Sequence, residues 1–169
     1  MSRVALALVM AASGSGVALS VSADRRAYDA VVQPIAFNHL VHAKRGIACA
    51  DCHQGVETSA KAWIPRVALC IDCHSEDTTT TPEKEKMKSI AAAGREIPWE
   101  RLYRLPAHVV FSHERHVAMG GVACDACHGA HGQSEAPPTH ADAVFPEMTA
   151  CLACHAVKGA AQDCVACHR

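Results

Sequence analysis

Cys-x-x-Cys-His occurs five times in this chain, at Cys49–His53, Cys70–His74, Cys124–His128, Cys151–His155 and Cys164–His168, and takes up all ten cysteines. The spacing has a chemical cause. Two thiols three positions apart reach the two vinyl carbons of one porphyrin, and the histidine that follows is then held beneath the iron as its axial ligand. Each box therefore reads as one covalent haem c site. Cys49 and Cys52, Cys70 and Cys73, Cys124 and Cys127, Cys151 and Cys154, and Cys164 and Cys167 would hold five haems, with His53, His74, His128, His155 and His168 as the proximal iron ligands. Structural disulfides and zinc knuckles also use paired cysteines. Neither requires the histidine that closes every box here.

The second axial ligand separates an electron carrier from a catalyst. Of twelve histidines, seven lie outside the boxes: His39, His42, His108, His113, His116, His131 and His140. That supply exceeds the need. Four of the seven fall in two matching motifs: Phe37-Asn38-His39-Leu40-Val41-His42 precedes Cys49, and Phe111-Ser112-His113-Glu114-Arg115-His116 precedes Cys124. The offset is 74 residues at His39/His113 and 75 at Cys49/Cys124, so one residue has been inserted between motif and box. Imidazoles three apart on a helical turn diverge enough to serve different irons. An isolated histidine would read as a surface residue, but this repetition marks His39, His42, His113 and His116 as distal ligands.

Composition makes sense only with the cofactor counted. The chain has 169 residues but three Phe, two Tyr and two Trp, and much of its apolar fraction is Ala and Cys, too small to fill an ordinary core. The chain offers roughly thirty residues per porphyrin, where a single-core domain runs to about 100. The expected fold is mainly α and irregular: short helices around a haem-packed core, two tandem haem modules, and no substantial sheet. Pro34, Pro65, Pro98, Pro106, Pro137, Pro138 and Pro146 interrupt anything longer. A formal charge of −1 excludes a strongly basic nucleic-acid binder, and haem propionates make the holoprotein more acidic still.

Met1-Ser2-Arg3, an apolar run from Val4 to Ala12 and Val21-Ser22-Ala23 before Asp24 read as a signal peptide over residues 1–23. The alternative is an uncleaved anchor, since Val4 to Ala23 carries no charge. Both place the remainder in the periplasm or on the periplasmic face of the cytoplasmic membrane. Residues 24–80 form module 1 with haems 1 and 2, and residues 105–169 form module 2 with haems 3 to 5. Between them, residues 81–104 form a connector whose helix is punctuated by Thr81-Pro82 at its start and Gly94 at its stop. Its alternating Glu83-Lys84-Glu85-Lys86 fits an exposed face without assigned function.

The Phe-x-His-x-x-His…Cys-x-x-Cys-His arrangement resembles the class III multihaem cytochromes c. In their triheme members the first histidine of the pair serves the nearest haem and the second serves the last of the triplet. That resemblance implies His113 on haem 3 and His116 on haem 5. A longer resemblance runs through Gln33-Pro34-Ile35-Ala36-Phe37-Asn38-His39, Ile64-Pro65-Arg66-Val67-Ala68-Leu69-Cys70 and Ile97-Pro98-Trp99-Glu100-Arg101, continuing over Leu105 to His113. These stretches look like the pentahaem cytochrome subunit of alternative complex III and its relatives in quinone-linked complexes, which pass electrons on the periplasmic side.

His108 stands where similar sequences commonly have an aromatic residue, so it is read as a surface or supporting histidine. The segment Gly129 to Ala150 also differs. The distal ligand of haem 4 is read as His140, with His131 and Met148 as alternatives. In module 1, His39 should serve haem 1 and His42 haem 2, unless His42 reaches across to the other module and Met87 or His108 replaces it.

Saturated irons transfer single electrons and offer no site for substrate, so the expected role is electron transfer with a quinone-linked membrane complex and no catalysis by this chain. Two other roles compete. A freely diffusing periplasmic shuttle would differ only in having no fixed complex, and a multihaem reductase would need one open iron and a basic pocket for its anion.

Overall fold

The computed structural model describes residues 30–141 and 147–169. Helices form where an attachment box or a strong cap dictates one and end almost at once. In chain order they are α1 (His39–Ala43), α2 (Cys49–Cys52), α3 (Val67–His74), α4 (Pro82–Ala92), α5 (Asp125–His128), α6 (Met148–Lys158) and α7 (Cys164–Cys167). A π-turn at Arg115–Met119 and a 3₁₀ turn at His131–Gln133 complete the set. There is no sheet among the described residues, only a single antiparallel bridge between Val109 and His168. The expected helical and irregular class is the one observed. The amino-terminal segment read as signal or anchor lies outside the described residues, and among those residues no helix is long and apolar enough to cross a membrane.

The protein core is small and lies on one side of the sequence. Ile35, Val67, Met87 and Ile97 are the buried hydrophobic residues, with Phe37, Ile71, Ile90 and Trp99 packed against them. Helix α4 supplies Met87 and lies against α3. The Thr81 hydroxyl accepts a hydrogen bond from Lys84 N–H, Pro82 occupies the first turn, and Gly94 at φ +64° follows the last turn. The connector is thus part of the core rather than a tether, and Met87 is taken up by packing.

The three stretches that carried the longer resemblance meet around this core. Gln33 Nε2 donates to the Glu100 carbonyl at 2.8 Å, and Glu100 N–H returns to Gln33 Oε1 at 3.1 Å. Trp99 Nε1–H donates to the Pro65 carbonyl at 3.2 Å. Val67 N–H, an orphan donor at the start of α3, is satisfied by the Glu96 carboxylate at 2.9 Å. What the motif residues do here is structural: they tie chain segments far apart in sequence into one frame.

The inserted residue of the second repeat has a definite place. In the first repeat Ile47 N–H returns to the His42 carbonyl, whereas in the second Val122 N–H returns to the His116 carbonyl from one position further on. The π-turn absorbs the difference, as such turns do for single insertions. Gly120 follows it because a Cβ there would lie 2.8 Å from the His116 carbonyl oxygen.

Met87→Ala is expected to destabilise the holoprotein by about 2–5 kcal/mol, the usual cost of removing a large side chain from a core. The measurement is the guanidinium unfolding midpoint, which should fall while the haem content per chain stays unchanged.

Candidate haem sites

The paired histidines adopt one geometry twice. Phe37 lies edge-on to His39 at 4.7 Å between ring centroids and stacks on His42 at 4.5 Å and 23°. Phe111 does the same with His113 at 4.9 Å and with His116 at 4.5 Å and 22°. His42 Nδ1–H donates to the Asn38 carbonyl at 2.8 Å, and His116 Nδ1–H donates to the Ser112 carbonyl at 2.7 Å. Each bond fixes the tautomer and leaves Nε2 as the metal-binding nitrogen. The phenylalanine sets the ring plane and the backbone sets the nitrogen.

The proximal rings are held by similar means. His53 Nδ1–H points to the Trp63 carbonyl at 3.3 Å, and His155 Nδ1–H donates to the Ala161 carbonyl at 2.6 Å. His74 differs, since its Nδ1–H is bound by the Asp77 carboxylate at 2.6 Å, which also accepts from Lys84 Nζ at 2.6 Å. Hydrogen bonds from Lys84 first, and then from His74, hold the Asp77 carboxyl down at about 2. Lys84 and Glu83, read from sequence as a solvated face, therefore have work: Glu83 Oε2 accepts the Ala36 N–H at 2.8 Å.

Opposed imidazoles are what an axial iron site requires. Two metal–nitrogen bonds of about 2 Å each, with the ring half-widths added, separate the centroids of a facing pair by about 6 Å. His42 and His74 stand 6.1 Å apart, His113 and His128 6.3 Å apart at 5° between planes, and His116 and His155 6.1 Å apart. His39 is buried with His53, His131 and His42 as its electrostatic neighbours; burial first, then those neighbours, push its pKa down to about 4. Burial also lowers His113, against the opposing Ala60 carbonyl and with smaller contributions from His116 and His53. Both rings are thus neutral at pH 7, the form that binds a metal. His39 Nδ1 is a buried polar atom without a hydrogen-bond partner, an unmet demand that calls for a further group at the site.

Two placements differ from the sequence expectation. His116 faces His155 of the fourth box rather than His168 of the fifth, and His108, read as a surface residue, stacks on His168 at 5.4 Å and 24°. His140 Nδ1 lies 2.9 Å from the Thr139 hydroxyl, His131 Nε2 lies 2.9 Å from the Tyr103 hydroxyl, and Met148 is the exposed first residue of α6. Asp77 was also missed. Its signal was a carboxylate three residues beyond the histidine of a box, which local spacing alone does not distinguish from any exposed acid.

The attachment boxes lie in a file. Burial first, and then neighbouring thiols, raise the cysteine pKa values. The neighbours are Cys73 for Cys52, Cys49 for Cys124, Cys154 and Cys151 for Cys127, and Cys167 for Cys151. Box 1 thus lies near box 2 and is hydrogen-bonded through Cys49 to Cys124 of box 3, box 3 lies near box 4, and box 4 lies near box 5. The halves are joined between the loop after the first box and the histidine pair before the third, where His113 N–H donates to the Ala60 carbonyl at 3.2 Å and Glu114 N–H to the Ser59 carbonyl at 3.0 Å.

Thiol pairs on short helices, histidines facing across a metal-sized span and very little apolar core define a multihaem c-type cytochrome. Residues 41–155 match the cytochrome c3 family, and the chain belongs to that family. It is 29% identical over 166 residues to the multihaem cytochrome c subunit of menaquinone reductase from Nitratidesulfovibrio vulgaris (strain Hildenborough), an alignment covering 84% of this chain and 79% of that protein.

Asp77→Asn is expected to raise the reduction potential of the haem at Cys70 and Cys73. A carboxylate acceptor makes the His74 imidazole more electron-rich and favours the ferric state. Because a depressed carboxyl stays ionised until the pH falls to about 2, the difference from wild type should persist through neutral and mildly acidic pH. Haem-resolved redox titration checks it.

Proposed function

We propose that this chain is a pentahaem, periplasm-facing electron carrier that works as a subunit or partner of a quinone-linked membrane complex. The observation that carries the reading is the set of facing imidazole pairs at 6.1 to 6.3 Å, each with its proximal member adjoining a thiol pair. Haem c supplies a one-electron iron couple, and ligation by two imidazoles sets that couple lower than Met/His ligation does. The protein's part is to hold the rings and line up the attachment sites in the order 2, 1, 3, 4, 5.

His39 opposite His53, His42 opposite His74, His113 opposite His128 and His116 opposite His155 are the axial pairs for haems 1 to 4 in this proposal. This assignment replaces His140 at the fourth iron and moves His116 from the fifth. With both faces of these four irons taken, none of the four is left to bind nitrite or a sulfur oxyanion. The menaquinone reductase subunit similar to this chain supports the quinone-linked context, as does the resemblance to the alternative complex III cytochrome. Residues 1–23 serve as the export signal.

A pyridine haemochrome assay with intact mass should give five haems per matured chain. The holoprotein should be reduced by its native membrane fraction with menaquinol as donor, show no carbon monoxide shift, and lack nitrite or sulfite reductase activity with reduced viologen. Copurification with a membrane complex is expected. Fast reduction without copurification would make it a soluble shuttle, and viologen-driven turnover would make it an enzyme.

A further inference from the structure

We infer that His108 is the distal ligand of the fifth haem, opposite His168, so that the segment 108–116 supplies the distal imidazoles for all three haems of the second module. The inference rests on the five-haem reading above.

The ring geometry is direct. The ring planes of His108 and His168 differ by 24° and their centroids are 5.4 Å apart, within about 1 Å of the span of about 6 Å that two axial nitrogens impose. The backbone makes this approach deliberate. Val110 N–H donates to the Cys167 carbonyl at 2.8 Å and Arg169 N–H to the His108 carbonyl at 3.0 Å, closing the antiparallel bridge between Val109 and His168. These bonds bring the chain terminus, with the last box on it, back to the residues just ahead of the second histidine pair. They are the one strand-like pairing among the described residues.

Three of the remaining histidines already face other groups: His116 faces His155, His113 faces His128, and His131 Nε2 sits at the Tyr103 hydroxyl. His140 Nδ1 lies at the adjacent Thr139 hydroxyl, which leaves its Nε2 open, and the experiment below therefore includes a His140 variant. The internal repeat adds an independent reason. At the offset of 74 that aligns His39 with His113, His108 aligns with Pro34. Module 1 has no third histidine there and no third box; module 2 has both. The number of distal histidines ahead of each module's first box then equals the number of its boxes, two in one and three in the other.

The test uses the full matured chain. Wild type should show five low-spin haems by electron paramagnetic resonance and magnetic circular dichroism. His108→Ala should keep five covalent haems by intact mass and turn one of them high-spin and open to carbon monoxide, and added imidazole should return it to low spin. His108→Met should place one haem in His/Met ligation, with the far-red charge-transfer band of a ferric thioether complex, a gain that a misfolded chain does not produce. His140→Ala and Met148→Leu should leave all five low-spin. Five low-spin haems persisting in His108→Ala without imidazole, or a high-spin haem arising from His140→Ala, would overturn the assignment. Fewer than five haems on wild type defeats the five-haem reading; peptide mass mapping that finds Cys164 and Cys167 bare defeats this inference with it.

Discussion

An iron gripped by two imidazoles on opposite faces needs two segments of backbone held at a fixed separation, and the described residues include four buried apolar side chains with which to hold them. Backbone carbonyls take over the task. The Nδ1–H groups of His42, His116, His53 and His155 each find a main-chain oxygen, and that one bond settles ring orientation and tautomer together. A carbonyl fixed in a helical turn or a tight loop costs no side-chain entropy to position. Short helices suffice because only one turn has to be rigid.

The repeat explains why the halves are alike, and its single insertion explains where they part. Phe37 and Phe111 wedge the same two rings at nearly identical distances, which is a packing solution copied whole. Once the motif ends, the π-turn after His113 shifts the register at which the chain returns to its box. The halves also brace each other. The Ser59 and Ala60 carbonyls hold the second pair, and Leu40 N–H in the first pair's helix donates to the Ser134 carbonyl at 3.0 Å.

What could be read from the sequence was local. The boxes, the Phe-x-His-x-x-His repeat and the Thr81-Pro82 to Gly94 helix are each defined within a dozen or so residues by covalent reach, helical divergence or capping. Which imidazole faces which was not legible. His116 meets His155, and His108 meets His168, because loops return the chain over tens of residues, and no local spacing encodes that path. The triheme pattern places His116 with the last box, whereas its ring lies 6.1 Å from that of His155, because the pattern carries ligand order but not the fold of the segment between boxes. Asp77 and Lys84 escaped for a different one. Exposed charges are abundant, and only the position of α4 against α3 turns these two into partners of a ligand.

The two modules are not held together in the same way. Among the described residues, every buried core residue belongs to the first module or the connector, and α5, α6 and α7 bury none. In the first module a frame of Ile35, Val67, Met87 and Ile97, laced by Gln33, Glu96 and Trp99, positions its rings through protein contacts alone. The second module has backbone bonds to its neighbour, a two-bond clasp at its terminus, and otherwise the apolar faces of its porphyrins. Free energy that a protein core would supply by burying apolar area must there come from the cofactors. On the five-haem proposal the module with more attachment boxes has less protein structure of its own, and its shape would depend on haem attachment more than the first module's.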